Sequence, residues 1–257
     1  MGVRLSVVVL TKNEERNIAA CLGSVQWADE LIVLDSFSED ATVEIARIFG
    51  AKVYQRQFVN YPDQRNAALE LAEGDWVLFI DADERATPEL AAEVRRVIEN
   101  EPPVGWWVPR KNYIFGRWTR HAGWSPDYQL RLFRRHRARY DEAREVHELV
   151  ILDGEAGYLE SALIHYNYDN VAQFFARQGL YTDYEARAMF KRGVRVKPQN
   201  FILQPLREFR RRYISLEGYR DGLHGLLLSS LMAYYELVKY VKLAGYGLKK
   251  GVKSGKM

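Results

Sequence analysis

The sequence predicts an α/β fold with a mainly parallel central sheet and a helical extension at its C-terminal end. Three observations predict it. Short apolar runs alternate with helix-period segments through the first hundred residues, the pattern of strands joined by crossover helices. After Pro102-Pro103 the texture changes to short strand-like runs separated by Gly, Pro and charged residues. From Ala172 onward the chain reads as helical and strongly basic. The boundaries expected are residues 1–170 for the α/β domain and 171–257 for a basic amphipathic helical extension.

Leu5–Leu10 is a nearly continuous apolar run that suits a buried strand. Glu14–Val25 follows, with apolar positions at helical spacing on Ile18, Cys21, Leu22 and Val25. Glu30–Asp35 is a second strand. Ala41–Phe49 is a helix closed by Gly50 at the C′ position. Lys52–Arg56 is a third strand, Asp63–Glu73 a helix, and Trp76–Ile80 a fourth strand. Thr87-Pro88-Glu89 then reads as an N-cap with proline in the first helical position, opening a helix that runs to about Asn100. The strand-like runs after it are Gly105–Arg110, Gln129–Arg134, Leu149–Leu152 and Ala162–Tyr168. A helix over Val171–Arg192, a proline-bounded segment at 198–205 and a long amphipathic region from Leu206 to Leu243 complete the chain.

With 257 residues and 47% hydrophobic content, the chain can bury one sizeable core. The single cysteine, Cys21, excludes a disulfide framework and a cysteine-rich metal site. The N-terminus runs straight into a strand, so no signal peptide is expected. The net charge of +3 hides a polarity. Residues 186–257 hold 16 Lys/Arg and 4 Asp/Glu, a net of +12, whereas residues 1–185 hold 21 and 30, a net of −9. A basic tail on an acidic body suits an anionic partner surface, membrane or nucleic acid. The acidic first half and the lack of a nucleic-acid-binding motif argue for no nucleic acid.

The chemistry concentrates where strands end. The first strand ends in Thr11-Lys12-Asn13-Glu14 and the second in Asp35-Ser36. The helix before the fourth strand carries Gln64-Arg65-Asn66, and the fourth strand ends in Asp81-Ala82-Asp83. Carboxylates at the C-terminal edge of a parallel sheet face the ligand crevice. Two of them one residue apart can hold a divalent cation against phosphate oxygens.

In order and spacing, these four clusters resemble the family-2 glycosyltransferases. The resemblance implies a nucleotide-sugar-binding, glycosyltransferase A-type fold and transfer of a hexose. It implies that Thr11, Asn13 and Glu14 line the nucleotide pocket, and that Asp35 and Ser36 meet the uracil or ribose. Arg65 would meet the base or a phosphate, although an exposed helix arginine is the plainer reading of that residue. Asp81 and Ala82 would touch the ribose side, and Asp83 would bind Mg²⁺ or Mn²⁺ on the diphosphate. The family places a Glu-Asp pair three residues before an apolar position. Here Asp127 occupies that place before Leu130, with Pro126 instead of the first acid. Asp127 is thus the candidate base, and an N-cap is its other reading. In Glu145-Val146-His147-Glu148, His147 could complete the metal shell and Glu148 could orient it or bind acceptor hydroxyls. Trp106, Trp107, Trp118 and Trp124 offer faces for sugar stacking or for core packing, with Trp124 the acceptor candidate.

The whole chain is similar to the bacterial subgroup that includes the lipopolysaccharide core β-1,4-glucosyltransferases. That implies a UDP-linked donor, UDP-glucose above others, and a lipid-linked glycan acceptor such as the lipopolysaccharide inner core. It implies a peripheral protein at the cytoplasmic face of the bacterial inner membrane. Arg207, Arg210, Arg211, Arg212 and Arg220, with Lys239 and Lys242, flank an uncharged run, Gly225–Tyr235, that is too short to cross a bilayer but suits an interfacial helix; a helical extension packed on the rest of the protein or on a second subunit is its other reading. A homo-oligomer stays open. The rival readings are a polyprenyl-phosphate glycosyltransferase, which would not need Asp127, and a non-catalytic sugar-nucleotide-binding scaffold.

Overall fold

The computed structural model describes residues 2–100, 103–143 and 149–254, with side chains to residue 247. The chain divides into two compact units, residues 1–111 with 127–166, and residues 112–126 with 167–257.

The first unit is built on β1 (Leu5–Thr11), α1 (Ile18–Gly23), β2 (Glu30–Asp35), α2 (Thr42–Ile48), β3 (Lys52–Gln55), α3 (Tyr61–Leu71) and β4 (Trp76–Asp81). The short β5 (Glu84–Ala86) and α4 (Pro88–Ile98) follow. The apolar runs become β1, β2 and β4 because each is covered on both faces: all are almost wholly buried. Strands β3, β2, β1 and β4 are parallel, and Thr11 pairs with Asp35 while Leu10 pairs with Asp81. The polar ends of three neighbouring strands therefore come out together at one edge. Helix starts fall where the caps predict. Asn60 accepts from the Asp63 N–H at 2.9 Å and Thr87 from the Leu90 N–H at 3.2 Å.

The rest of the sheet is antiparallel or mixed. It uses β6 (Gly105–Ile114), β7 (Arg117–Trp118), β8 (Tyr128–Arg134), β11 (Ala156–Tyr158) and β12 (Leu163–Tyr168), while β9 (Ala138–Tyr140) and β10 (Val150–Leu152) form a separate hairpin. The strand order is β3-β2-β1-β4-β8-β6-β12-β5, with β11 and β7 also on β6. Between β6 and β8 the register skips one residue. Trp106 faces Leu132 and Trp107 faces Leu130, so Arg131 is the extra residue of a β-bulge. One core packs Val7, Ile18, Leu22, Leu78, Leu90 and Val94, and the other packs Val8, Ile32, Phe79, Phe133 and Tyr140.

In the second unit, α5 (Val171–Lys191), α6 (Asn200–Arg210) and α7 (Gly222–Ser254) carry most residues. Helices α5 and α7 run in the same direction. The Tyr235 hydroxyl donates to the Phe175 carbonyl at 3.0 Å, and Tyr246 donates to Asp183 at 2.6 Å. Ile114, Tyr168, Phe174, Leu228 and Tyr235 form this unit's core. Most of the proline-bounded segment, 198–205, lies in α6. Pro205 lies inside α6, where it lacks only one backbone donor. The amphipathic region is interrupted instead at a π-turn over Arg211–Ser215 and a 3₁₀ turn over Gly218–Asp221. Among the described residues no helix is long and apolar enough to cross a membrane.

Candidate active site

Asp35 ends β2 with no exposure, so its carboxylate must be satisfied within the protein. Thr11 Oγ1 donates to Oδ1 at 2.9 Å, Gln55 Nε2 to Oδ2 at 3.2 Å, and the Ser38 N–H to Oδ2 at 2.8 Å. The Ser38 hydroxyl also donates to Oδ1. Burial pushes this carboxyl up, but the bonds from Ser38, Gln55 and Thr11 outweigh it and hold it below its usual range. The β1 and β2 ends are laced by further bonds. Asn13, at φ +55°, donates its N–H to Ser38 Oγ at 2.8 Å and accepts the Glu39 N–H at 2.8 Å. The Glu14 N–H donates to Thr42 at 2.7 Å, and the Ser36 N–H donates to the Thr11 carbonyl at 2.9 Å.

Helix α3 joins this lacing to β4. Gln64 Nε2 donates to Ser36 Oγ at 3.3 Å. Arg65 is buried rather than exposed, stacked at 5.2 Å over Phe79 and 5.6 Å over Tyr140. Its Nη2 donates to Asp81 Oδ1 at 3.1 Å. Arg131, aimed by the bulge, donates to the same carboxylate through Nη1 at 3.2 Å and through Nη2. Burial alone would raise the Asp81 carboxyl, but Arg131 first and Arg65 second hold it well below the usual carboxylate range.

Ala82 is buried, and its carbonyl accepts from Arg85 at 2.7 Å. Asp83 lies beside His165 of β12, Oδ1 to Nε2 3.6 Å, with side chains 16% and 9% exposed. Strand β12 supplies this imidazole because Leu163–His165 pairs with Glu84–Ala86. The expected metal partner, His147, lies outside the described residues, as does Glu148. The imidazole beside Asp83 is His165, which sequence reasoning missed. Its signal was a histidine at a buried position of an alternating strand.

Asp127 stands just before β8. Arg110 donates to its Oδ2 through Nε at 2.9 Å and lies 2.8 Å away through Nη2, while Gln129 donates to Oδ1 at 2.9 Å. Arg110 Nη1 reaches Glu84 Oε1 at 3.1 Å. Glu84 has no exposure, and its Oε2 accepts the Asp81 N–H at 2.9 Å. Trp124 belongs to the second unit. There it packs on Tyr168, with the Arg212 guanidinium 5.6 Å over its ring.

Comparison with known proteins shows the family. The family model described as "Glycosyl transferase family 2" covers residues 6–166, so the chain belongs to that family and is a glycosyltransferase. Among curated relatives, the lipopolysaccharide core biosynthesis glycosyltransferase LpsC of Rhizobium meliloti is 28% identical over 93% of this chain and 91% of its own. A solved structure of S. aureus TarS 1-349 in complex with UDP covers 96% of this chain and 92% of that one, at 16% identity and a TM-score of 0.50. It shares the A-type fold of mainly parallel sheet and C-terminal helices. Glucosyl-3-phosphoglycerate synthase from Mycobacterium tuberculosis, in complex with Mn²⁺, UDP-glucose and glycerol 3-phosphate, is 28% identical over 45% of this chain and 46% of its own, at a TM-score of 0.37.

Proposed function

We propose that the chain is an inverting, metal-dependent hexosyltransferase that moves glucose from UDP-glucose to a lipid-linked glycan of the lipopolysaccharide core. The observation that carries this reading is the end of β4. There one carboxylate, Asp81, is neutralised by two arginines, and the next, Asp83, lies against an imidazole. The name of LpsC supports the acceptor, and the nucleotide in the TarS complex supports UDP.

The donor set fits a divalent cation. One carboxylate and one imidazole from adjacent elements suit Mn²⁺ or Mg²⁺ that takes further oxygens from diphosphate and water. Such an ion, when bound, would offset the charge that builds on the leaving diphosphate. The chain's own residues do the rest. Thr11, Asn13, Glu14 and Ser36 form the pocket wall for the nucleotide, and Asp35 receives a uracil or ribose donor in exchange for the Ser38 hydroxyl. Arg65 neutralises Asp81 and faces the base or a phosphate. Asp127 takes the proton of the acceptor hydroxyl as its oxygen bonds to the anomeric carbon and the bond to UDP breaks. Trp124 and Glu148 are the acceptor-side candidates.

The acceptor implies a lipid surface, and α6 supports one. Ile202, Leu203 and Leu206 are exposed beside Arg207 and Arg210, the composition of an interfacial helix on anionic lipid. A position at the cytoplasmic face of the inner membrane follows from that reading.

A thermal-shift screen tests the donor. UDP-glucose with Mn²⁺ should raise the midpoint, while GDP- and dTDP-sugars should not. A response independent of both base and metal would overturn the reading.

A further inference from the structure

We infer that Glu84 is a positioning residue that couples the donor-binding carboxylate Asp81 to the candidate base Asp127. The inference rests on the proposed role of Asp127. Glu84 opens β5, one residue past Asp83, and its side chain is wholly buried. A buried carboxylate persists only where its charge is matched and its oxygens are bonded. Its two oxygens face two different parts of the site. Oε2 accepts the backbone N–H of Asp81 at 2.9 Å and so fixes the end of β4. Oε1 takes Arg110 Nη1 at 3.1 Å and lies 3.7 Å from Arg131 Nη2.

Those two arginines diverge. Arg131 clamps the Asp81 carboxylate, while Arg110 turns its Nε and Nη2 edge to Asp127 Oδ2 at 2.9 and 2.8 Å. A guanidinium is planar, so fixing one edge on Glu84 fixes the direction of the other. The orientation of Asp127 is therefore set from the donor side, through Arg110, by a carboxylate that itself holds Asp81. The chain of contacts is Asp81 main chain, Glu84, Arg110, Asp127.

Glu84→Gln keeps the size and removes the charge that holds both guanidinium groups. UDP binding by calorimetry and transfer kinetics test it, in four proteins: wild type, Glu84→Gln, Asp127→Asn and the double variant. Glu84→Gln is expected to weaken UDP by about five-fold and to lower kcat about ten-fold or more. In the Asp127→Asn background the same change should lower kcat by less than about two-fold, because residues acting as one unit are not additive. A merely structural role predicts full, multiplicative loss in the double variant, and that result overturns the coupling. So does unchanged UDP affinity in Glu84→Gln. If Glu84→Gln does not fold, Arg110→Lys carries the test. It keeps the charge but loses the fork, and should lower kcat without changing UDP affinity. An Arg110→Lys protein with wild-type kcat overturns the inference. Wild type that binds no UDP-sugar instead overturns the proposed function, which separates the two failures.

Discussion

Asp81 and Asp83 are one residue apart and face different partners. Asp81 is bonded by Arg65 and Arg131, which balance its charge at the end of β4. Asp83 lies against His165, where a cation would sit. Asp83→Ala should therefore abolish the Mn²⁺-dependent part of UDP binding while the thermal midpoint changes little, as calorimetry with and without the metal would show. Asp127→Asn should leave UDP affinity near wild type and lower kcat by at least about 10²-fold, the size of a lost general base. Asp35 makes a different prediction. Its carboxyl is depressed in the folded protein, so its stabilisation is present above the unfolded value near ~4 and is lost as pH falls through the lower folded value. Thermal midpoints should drop below about pH 4, and Asp35→Asn should flatten that drop while lowering the midpoint at neutral pH.

Elements differ in how readily the sequence reveals them. The strands β1, β2 and β4 were legible because burial on both faces writes itself as an unbroken apolar run, and α3 and α4 because Asn60 and Thr87 cap them. The strand-end carboxylates were legible for the same reason, since they follow directly on those runs. Arg65 was not: nothing local shows that Phe79 and Tyr140 will close over it. His165, Arg110, Arg131 and Glu84 stayed hidden because their partners are brought near by sheet order alone, across 17 to 50 residues for Arg110 with Asp127 and Arg131 with Asp81. The bulge in β8 has no sequence signal either. At this scale packing also makes a test. A Cβ on Gly157 of β11 would lie 2.5 Å from the Trp106 ring. Gly157→Ala should cost about 1–3 kcal/mol by overpacking, read by denaturant unfolding.

For the whole molecule, the charge count of the tail overstates what a surface would meet. Arg212 is only 13% exposed, bonded to Glu208 at 2.6 Å and to the Ala122 carbonyl at 2.7 Å. Arg211 is paired to the same Glu208 at 2.8 Å, and Lys239 to Glu236 at 2.6 Å. Arg207 and Arg210 are the exposed charges on α6. Substituting both with Ser should weaken sedimentation with anionic vesicles at low salt and leave donor hydrolysis intact. Substituting Arg212 should instead lower the thermal midpoint, because it removes a bridge inside the second unit. Equal binding to neutral and anionic vesicles at every salt concentration would defeat the electrostatic reading, since exposed charges are screened over ~10 Å at 0.1 M.

The extra residue at Arg131 ties the register of the sheet to its charge balance. Deleting that one position would let β6 and β8 pair without interruption, which by itself favours the sheet. It would also strip Asp81 of two bonds and take a cation from beside the buried Glu84. Leaving buried charge unmatched costs more than a regular ladder returns, so the shortened protein should unfold at a lower denaturant concentration than wild type. The irregularity is thus kept in place by electrostatics, against the preference of the strands themselves.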